Sequence, residues 1–370
     1  MSEISRRYLL KSVWVGGCGM VTTQIVGRLI KHFSIFLLFD FLRALYFSIL
    51  RFPSPIMKII YSLAKRKAGL FLSAFILLLI ATDTFSAIKI PVADHPGKKK
   101  IVFIAGACSH GPGDHEHTAG CMLLADQLKK YMGKEVETVV YKLWPKDTTV
   151  LESASTIVMY MDGAESHLAL KHKKHLSALM KKGIGLVCLH YAVEVPKKTG
   201  GAEFINWLGG YFELDWSVNP HWEANFKLIP KHEVTKGVKP FKISDEWYYH
   251  MRFTDDMKGV TPLLTALPTL STLDRGMGPR EGNRFVLKAV EEKQPQHVAW
   301  ATERHDGGRA FGFTGGHFYK NFGDSNFRKI ILNAIVWTAK VKVPATGVPT
   351  PKLTEAELQA NLDTKPCPKL

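Results

Sequence analysis

Apolar positions along residues 99–190 switch repeatedly between two spacings, and the switching predicts the architecture. Residues 101–105 are a compact apolar run stopped by Gly106, the pattern of a buried strand. Residues 118–132 place Met122, Leu123, Ala125, Leu128 and Tyr131 at helical spacing. Residues 136–141 alternate as a second strand, and 156–161 form a third. Residues 166–182 read as a helix with Leu168, Leu170, Leu176, Leu179 and Met180, and 184–189 are the fourth strand. Strands and helices in this order predict an α/β fold, a mainly parallel sheet with helices on both faces. Further on the rhythm changes. Residues 201–210 look helical, and strand-like runs follow at 224–228, 260–266, 285–290, 297–301 and 310–313 with no long helix between them. Residues 325–339 close the domain as an amphipathic helix. The tail, 341–370, carries five prolines and is expected to wrap the domain or hang loose.

The ends of these strands hold the candidate chemistry. The fourth run stops abruptly at Leu189-His190-Tyr191-Ala192. A small-x-polar-x-small pattern at such a point lifts one side chain at a strand tip. With Cys188 and Ala192 as the small residues, that side chain is His190. The shifted register lifts Cys188 instead, but then Leu186 and His190 fall where a sharp turn needs small residues. The plainer alternative is a histidine that only caps a backbone carbonyl. Ligands of open parallel sheets sit at the carboxyl ends of the strands. Those ends carry residues 108–117 (with Ser109, His110, Asp114, His115, Glu116 and His117), 162–167 (with Asp162, Glu165 and His167), His190, and 314–317 (with Gly316 and His317). Core packing does not need an imidazole at each of four strand ends, so the pattern predicts a shared cleft.

Histidines titrate near neutral pH, so His190 and His317 are the expected acid and base, with Glu246 (or Asp245) orienting one of them or acting as the second catalytic group. His110, His117, Asp162, His221, Trp222, Tyr248 and Gly316 are the expected substrate contacts. Trp222, Trp247, Tyr248 and Tyr249 suit stacking on sugar rings, or ordinary core filling. A divalent metal such as zinc is the second option. His110, His115, His117, His190, His317 and Glu246 are the right ligand types, with His115, His117 and His190 as the expected set. His115-x-His117 supplies two ligands if it lies on a turn; on a helix the pair points apart. His167, His172, His175 and His305 read as solvated surface.

The net charge of +16 raises the question of nucleic acid, but its distribution answers it. Residues 1–100 hold 15 Lys/Arg against 4 Asp/Glu, and residues 101–370 hold 34 against 29. The globular part is only mildly basic and has no Arg-rich helix, so no nucleic-acid partner is expected. Five cysteines without a C-x-x-C pair exclude zinc-ribbon and thioredoxin readings and do not look like a disulfide framework, although Cys108 and Cys121 could pair after export. The first hundred residues read as targeting. Ser5-Arg6-Arg7-Tyr8-Leu9-Leu10-Lys11 resembles a twin-arginine motif. The apolar stretch 33–50 contains Asp40 and Arg43, which are costly in a bilayer core. Residues 57–87 have a basic start, an uncharged run from 68 to 81 and a small-residue exit, the form of a signal peptide. Translation starting at Met57 would make residues 1–56 an artefactual extension; a membrane anchor built from the apolar segments is the alternative. The expected divisions are thus 1–56, 57–87, a linker 88–98, a domain 99–340 and the tail 341–370. Either way the domain is expected outside the cytoplasm, with membrane contact only through the N-terminal segments.

Together Ser109-His110-Gly111, His115-Glu116-His117, 185–190, Trp207-Leu208-Gly209-Gly210, Asn219-Pro220-His221-Trp222, Asp245-Glu246-Trp247-Tyr248-Tyr249 and Phe313-Thr314-Gly315-Gly316-His317 resemble the ThuA-like (trehalose utilisation) family, and more closely its secreted bacterial members. That family is similar in fold to class I glutamine amidotransferases, so the resemblance implies a flavodoxin-like sheet over roughly residues 99–345. Amidotransferases carry a nucleophilic Cys at the fourth tip and a late His-x-Glu. Here the tip reads as His190, and His317 is followed by Phe318-Tyr319, so no glutaminase activity is expected. The resemblance implies a small carbohydrate ligand and isomerisation, elimination or hydrolysis of a sugar, keto-sugar or glycoside. A non-catalytic carbohydrate-binding module is the alternative.

Overall fold

A computed structural model describes residues 97–367. The expectations for residues 1–56 and 57–87 lie outside the described residues. Among the described residues no helix is long and apolar enough to cross a membrane.

The strands are β1 (Lys99–Ala105), β2 (Val136–Lys142), β3 (Thr156–Tyr160), β4 (Gly185–Leu189), β5 (Gly210–Tyr211), β6 (Trp222–Phe226), β7 (Phe241–Asp245), β8 (Arg252–Phe253), β9 (Val260–Ala266), β10 (Gln296–Glu303) and β11 (Arg309–Phe313). The helices are α1 (His117–Met132), α2 (Lys173–Lys181), α3 (Ala202–Leu208), α4 (Arg284–Glu291), α5 (Ser325–Thr338) and α6 (Glu355–Gln359). Seven strands form one sheet in the order β2-β1-β3-β4-β11-β10-β9. The first five run parallel, while β10 is antiparallel to both β11 and β9. This is the flavodoxin-like order with an antiparallel extension on one edge.

The pleat explains why helices cover both faces. Successive side chains of a strand point to opposite sides. Ile101, Phe103, Val158, Tyr160, Val187, Leu189, Phe311 and Phe313 enter one core, against α1 and α5. Val102, Ile104, Ile157, Met159, Leu186 and Cys188 enter the other, against α2 and α3. Burial on both faces is the reason these strands read as continuous apolar runs.

Several boundaries differ from expectation. Residues 285–290 are not a strand but the body of α4. A run of neighbouring apolar residues fits either state. The Asn283 side chain, accepting from the amides of Phe285 and Val286, starts a helix that buries Val286, Ala289 and Val290. The expected helix over 166–182 divides into a 3-10 turn, Leu168–His172, and α2. The expected strand over 224–228 lies slightly earlier, as β6, and pairs with β7, which the pattern did not suggest. The tail packs down, burying Val343, Val348 and Leu353. Cys108 bonds to Cys367 rather than to Cys121, which is free and buried. His167 is also buried rather than solvated. Its Nε2 faces the Ala192 carbonyl at 3.0 Å, and its Nδ1 accepts from the Ala169 amide.

Candidate active site

Strand ends and one hairpin deliver the polar groups to a common point at the carboxyl edge of the sheet. β4 ends at Leu189, and His190 follows in the left-handed region with φ 54°. That conformation is uncommon for a non-glycine residue. Cys188 stays inside β4, fully buried, its thiol pushed up by burial. The loop after β1 brings His115, also left-handed at φ 48°. The turn after β11 brings His317. The β6–β7 hairpin sets His221 just before β6 and Glu246 just after β7.

The inward atoms of four residues, His115, His190, Glu246 and His317, all lie within 4.8 Å of one another. His115 Nε2 is 3.1 Å from His190 Nε2 and 3.0 Å from His317 Nδ1. Glu246 Oε2 is 3.3 Å from His190 Nε2 and 3.1 Å from His317 Nδ1. The far side of each ring fixes where its proton sits. His115 Nδ1 is 2.9 Å from Asp162 Oδ1, and a carboxylate accepts only, so Nδ1 carries the proton. His190 Nδ1 is 2.8 Å from the Thr314 carbonyl, with the same consequence. In neutral rings both Nε2 atoms would present lone pairs to the centre. Tyr248 Oη, 3.2 Å from His190 Nε2, supplies one proton, and His317 Nδ1 supplies at most one more. Three inward acceptors meet at most two donors. With neutral rings this deficit calls for an additional proton, a water or a cation.

Electrostatics follow from burial. His115 is lowered to about 2, chiefly by desolvation, so it is neutral. Burial pushes the Glu246 carboxyl up, but hydrogen bonds to His190 and His317 outweigh it and hold the group below the usual carboxylate range. Burial also opposes ionisation of Asp162, yet the His115 hydrogen bond and its other neighbours lower it to about 2. His317 loses from burial and gains more from Glu246, so its value is raised.

Asp245, next to the catalytic candidate Glu246, is fully buried and organises the β11 turn. Its carboxylate accepts from the amides of Gly316 (2.8 Å) and His317 (3.0 Å) and from Asn321 Nδ2 (2.8 Å). Gly316 takes φ 115°, and a Cβ there would lie 3.4 Å from His190 Cβ.

The remaining expected residues divide into rim, brace and core. His110 is partly exposed and stacks on His115 with centroids 3.6 Å apart. Exposed His221 lies 3.9 Å from Glu246 Oε1, its ring 4.9 Å from that of His317. Asp162 braces His115. His117 opens α1 and does not join the inward set. Its Nδ1 faces the Ala107 carbonyl at 2.9 Å, and its Nε2 points at Asp162, 3.7 Å away. Trp247 and Tyr249 are core, and half-buried Trp222 donates its indole N–H to the Trp247 carbonyl. Of the four aromatics, Tyr248 alone presents a polar atom to the cluster. Sequence reasoning missed Asn219 as a site residue, which donates to Glu246 Oε1 at 2.9 Å, and Asp114, 3.6 Å from His317 Nε2. Asn219 lay within a segment that carried the resemblance; nothing local marked Asp114 apart from its neighbours.

The family model for trehalose utilisation (ThuA) matches residues 109–338, well over half of the chain and every residue of the cluster. No curated protein matches. Among solved structures, a ThuA-like protein from Bacteroides uniformis ATCC 8492 is 17% identical, covers 65% of this chain and 91% of its own, and superposes with a TM-score of 0.43. The chain belongs to the ThuA family.

Proposed function

We propose that this chain is an exported carbohydrate-modifying enzyme whose centre is the His115, His190, His317 and Glu246 cluster, holding a divalent cation such as zinc. The observation that carries the reading is the excess of inward acceptors over donors. A tetrahedral zinc with bonds of about 2.0–2.1 Å has ligand–ligand edges of about 3.3 Å. Four of the six distances within the cluster, at 3.0, 3.1, 3.1 and 3.3 Å, are close to that edge, and the other two lie within 4.8 Å, so the ligands would draw in around a tetrahedral ion. Asp162 and the Thr314 carbonyl fix the imidazole tautomers, as partners of metal-bound histidines do. A bound cation of this kind supplies Lewis-acid polarisation of a substrate oxygen. The family's description, trehalose utilisation, supports a sugar, keto-sugar or glycoside as the substrate class.

The protein's own groups divide the remaining work. Glu246, held ionised, would give Oε2 to the cation and keep Oε1, 3.9 Å from His221 Nε2, to accept a proton from a substrate hydroxyl or carbon. His317 would give Nδ1 to the cation, and its Nε2, 3.6 Å from Asp114, would exchange a proton with the rim. Tyr248 Oη donates to an oxygen lying beside His190. Half-exposed His221, His110 and Phe318 would orient the ring at the rim. Glutamine hydrolysis is not part of this reading, because the one thiol near the tip lies inside β4. The Cys108–Cys367 bond supports export, since disulfides persist in oxidising compartments.

The test is turnover of trehalose, simple glycosides and their keto derivatives by the full chain, with and without zinc. We expect turnover that a chelator removes and that His190→Asn lowers by about 10³-fold. Asparagine tolerates the left-handed backbone at this position. Sugar binding with no turnover, unaffected by His190→Asn, would instead establish a binding module.

A further inference from the structure

Residues 363–367 lie beyond the family match, which ends at 338, yet they reach the loop that carries His110 and His115. That loop holds three left-handed residues in a short span, His110 (φ 59°), Gly113 (φ 82°) and His115 (φ 48°). Each non-glycine residue there costs about 1–2 kcal/mol, so the loop needs support from outside itself. Lys365 is placed to give it. Its Nζ donates to the carbonyls of Ser109 and Gly111, both at 2.8 Å, and to that of Asp114. Glu116 Oε1 balances the charge at 3.2 Å. An ammonium has three protons, and three carbonyls of one loop take them. Both side chains are sealed from solvent, at 1% and 2% exposure. Glu116 is aimed by amides from both segments, Gly113 N at 3.1 Å and Asp363 N at 2.8 Å. The bond from Cys367 to Cys108 then ties the tail to the start of the loop.

We propose that residues 363–367 form a strap that belongs to the active centre, in which Lys365 and the Cys108–Cys367 bond are positioning elements that hold His115 where the cation site needs it. This rests on the cation reading above. Without the strap, three carbonyls lose their shared donor and the buried Glu116 carboxylate loses its counter-charge, and the loop relaxes away from its left-handed turns. The sheet does not depend on the strap, so β4 and His190 keep their places.

The experiment compares the full chain with Lys365→Met and with a Cys108→Ala/Cys367→Ala variant, which unhooks the tail but keeps the ion pair. Two quantities are read, zinc affinity by chelator competition and amide hydrogen exchange across 108–116 and β4. Loss of a partner that orients a metal ligand typically weakens affinity about 10- to 100-fold. We expect at least about 10-fold weaker zinc binding for Lys365→Met and about threefold for the cysteine variant, with faster exchange in 108–116 and unchanged exchange in β4. Zinc affinity and loop exchange equal to those of the unaltered chain would overturn the strap. If the unaltered chain binds no zinc, the cation reading fails and exchange alone judges the strap, with unchanged protection of 108–116 overturning it. If Lys365→Met does not fold, the cysteine variant decides.

Discussion

His190 and His115 bring their Nε2 atoms to within 3.1 Å of each other by opposite means. His190 sits one residue past a strand buried on both faces, and the neighbouring strand end supplies the carbonyl that fixes its proton. His115 sits in a loop with three left-handed residues, held by Asp162 from the loop after β3, by the β11 turn through the His317 carbonyl, and by a lysine 250 positions downstream. The tip is set by strand register, which is rigid and short-range. The loop is set by buried charge and hydrogen bonds, which are long-range and can fail separately. The same centre therefore combines one support that follows from the fold with one that this chain adds to it.

The largest expected effect breaks the tip alone. His190→Asn should lower turnover about 10³-fold, roughly 4 kcal/mol of barrier, while exchange across 108–116 stays as it was. Acidification probes the loop. His115 and His117 are both lowered by burial from 6.5, to about 2 and about 4. Below pH 6.5 the unfolded chain binds a proton at each while the folded chain does not, so stability falls as the pH falls. The loss runs down to about pH 4 for His117 and about pH 2 for His115. Between pH 6.5 and 5 it should reach about 2 kcal/mol for each group, at 1.36 kcal/mol per unit, read as a lower urea midpoint. Asp245→Asn should cost about 3 kcal/mol of stability, because amides aimed at a buried carboxylate lose it. It should also shift the titration of His317 observed by NMR. Gly316→Ala is the mildest, about 1 kcal/mol. It sharpens the comparison because its strain, from φ 115°, falls in the turn beside His190 and not in the loop.

The sequence showed the tip more clearly than the loop for the same physical reason. A doubly buried strand ending in small residues is a local pattern, and it marked both the sheet and His190. The sequence marked the histidines of 110–117, 190 and 317 as strand-end groups expected to converge, and offered Glu246 only as a partner of one of them. His117 was misplaced among the metal ligands because two positions of helix phase decide where it points, and α1 begins at that residue. Residues 285–290 misled because apolar neighbours serve a strand and a buried helix alike, until the cap at Asn283 is weighed. Lys365 and Cys367 gave no local sign, and Glu116 gave none beyond its place in the 108–117 cluster. Their partners are distant in the chain, and a lysine among prolines in a polar tail reads as solvated. The aromatic run 247–249 was offered for sugar stacking, and most of it is core, since period and residue type are the same for both uses.

Zinc-edge X-ray absorption of the full chain after titration with zinc tests the centre most directly. The account predicts saturation at one zinc per chain, nitrogen and oxygen ligands near 2.0–2.1 Å with scattering from several imidazoles, and loss of that signature in His190→Asn. Absence of stoichiometric zinc, or a sulfur ligand at the metal, would contradict it.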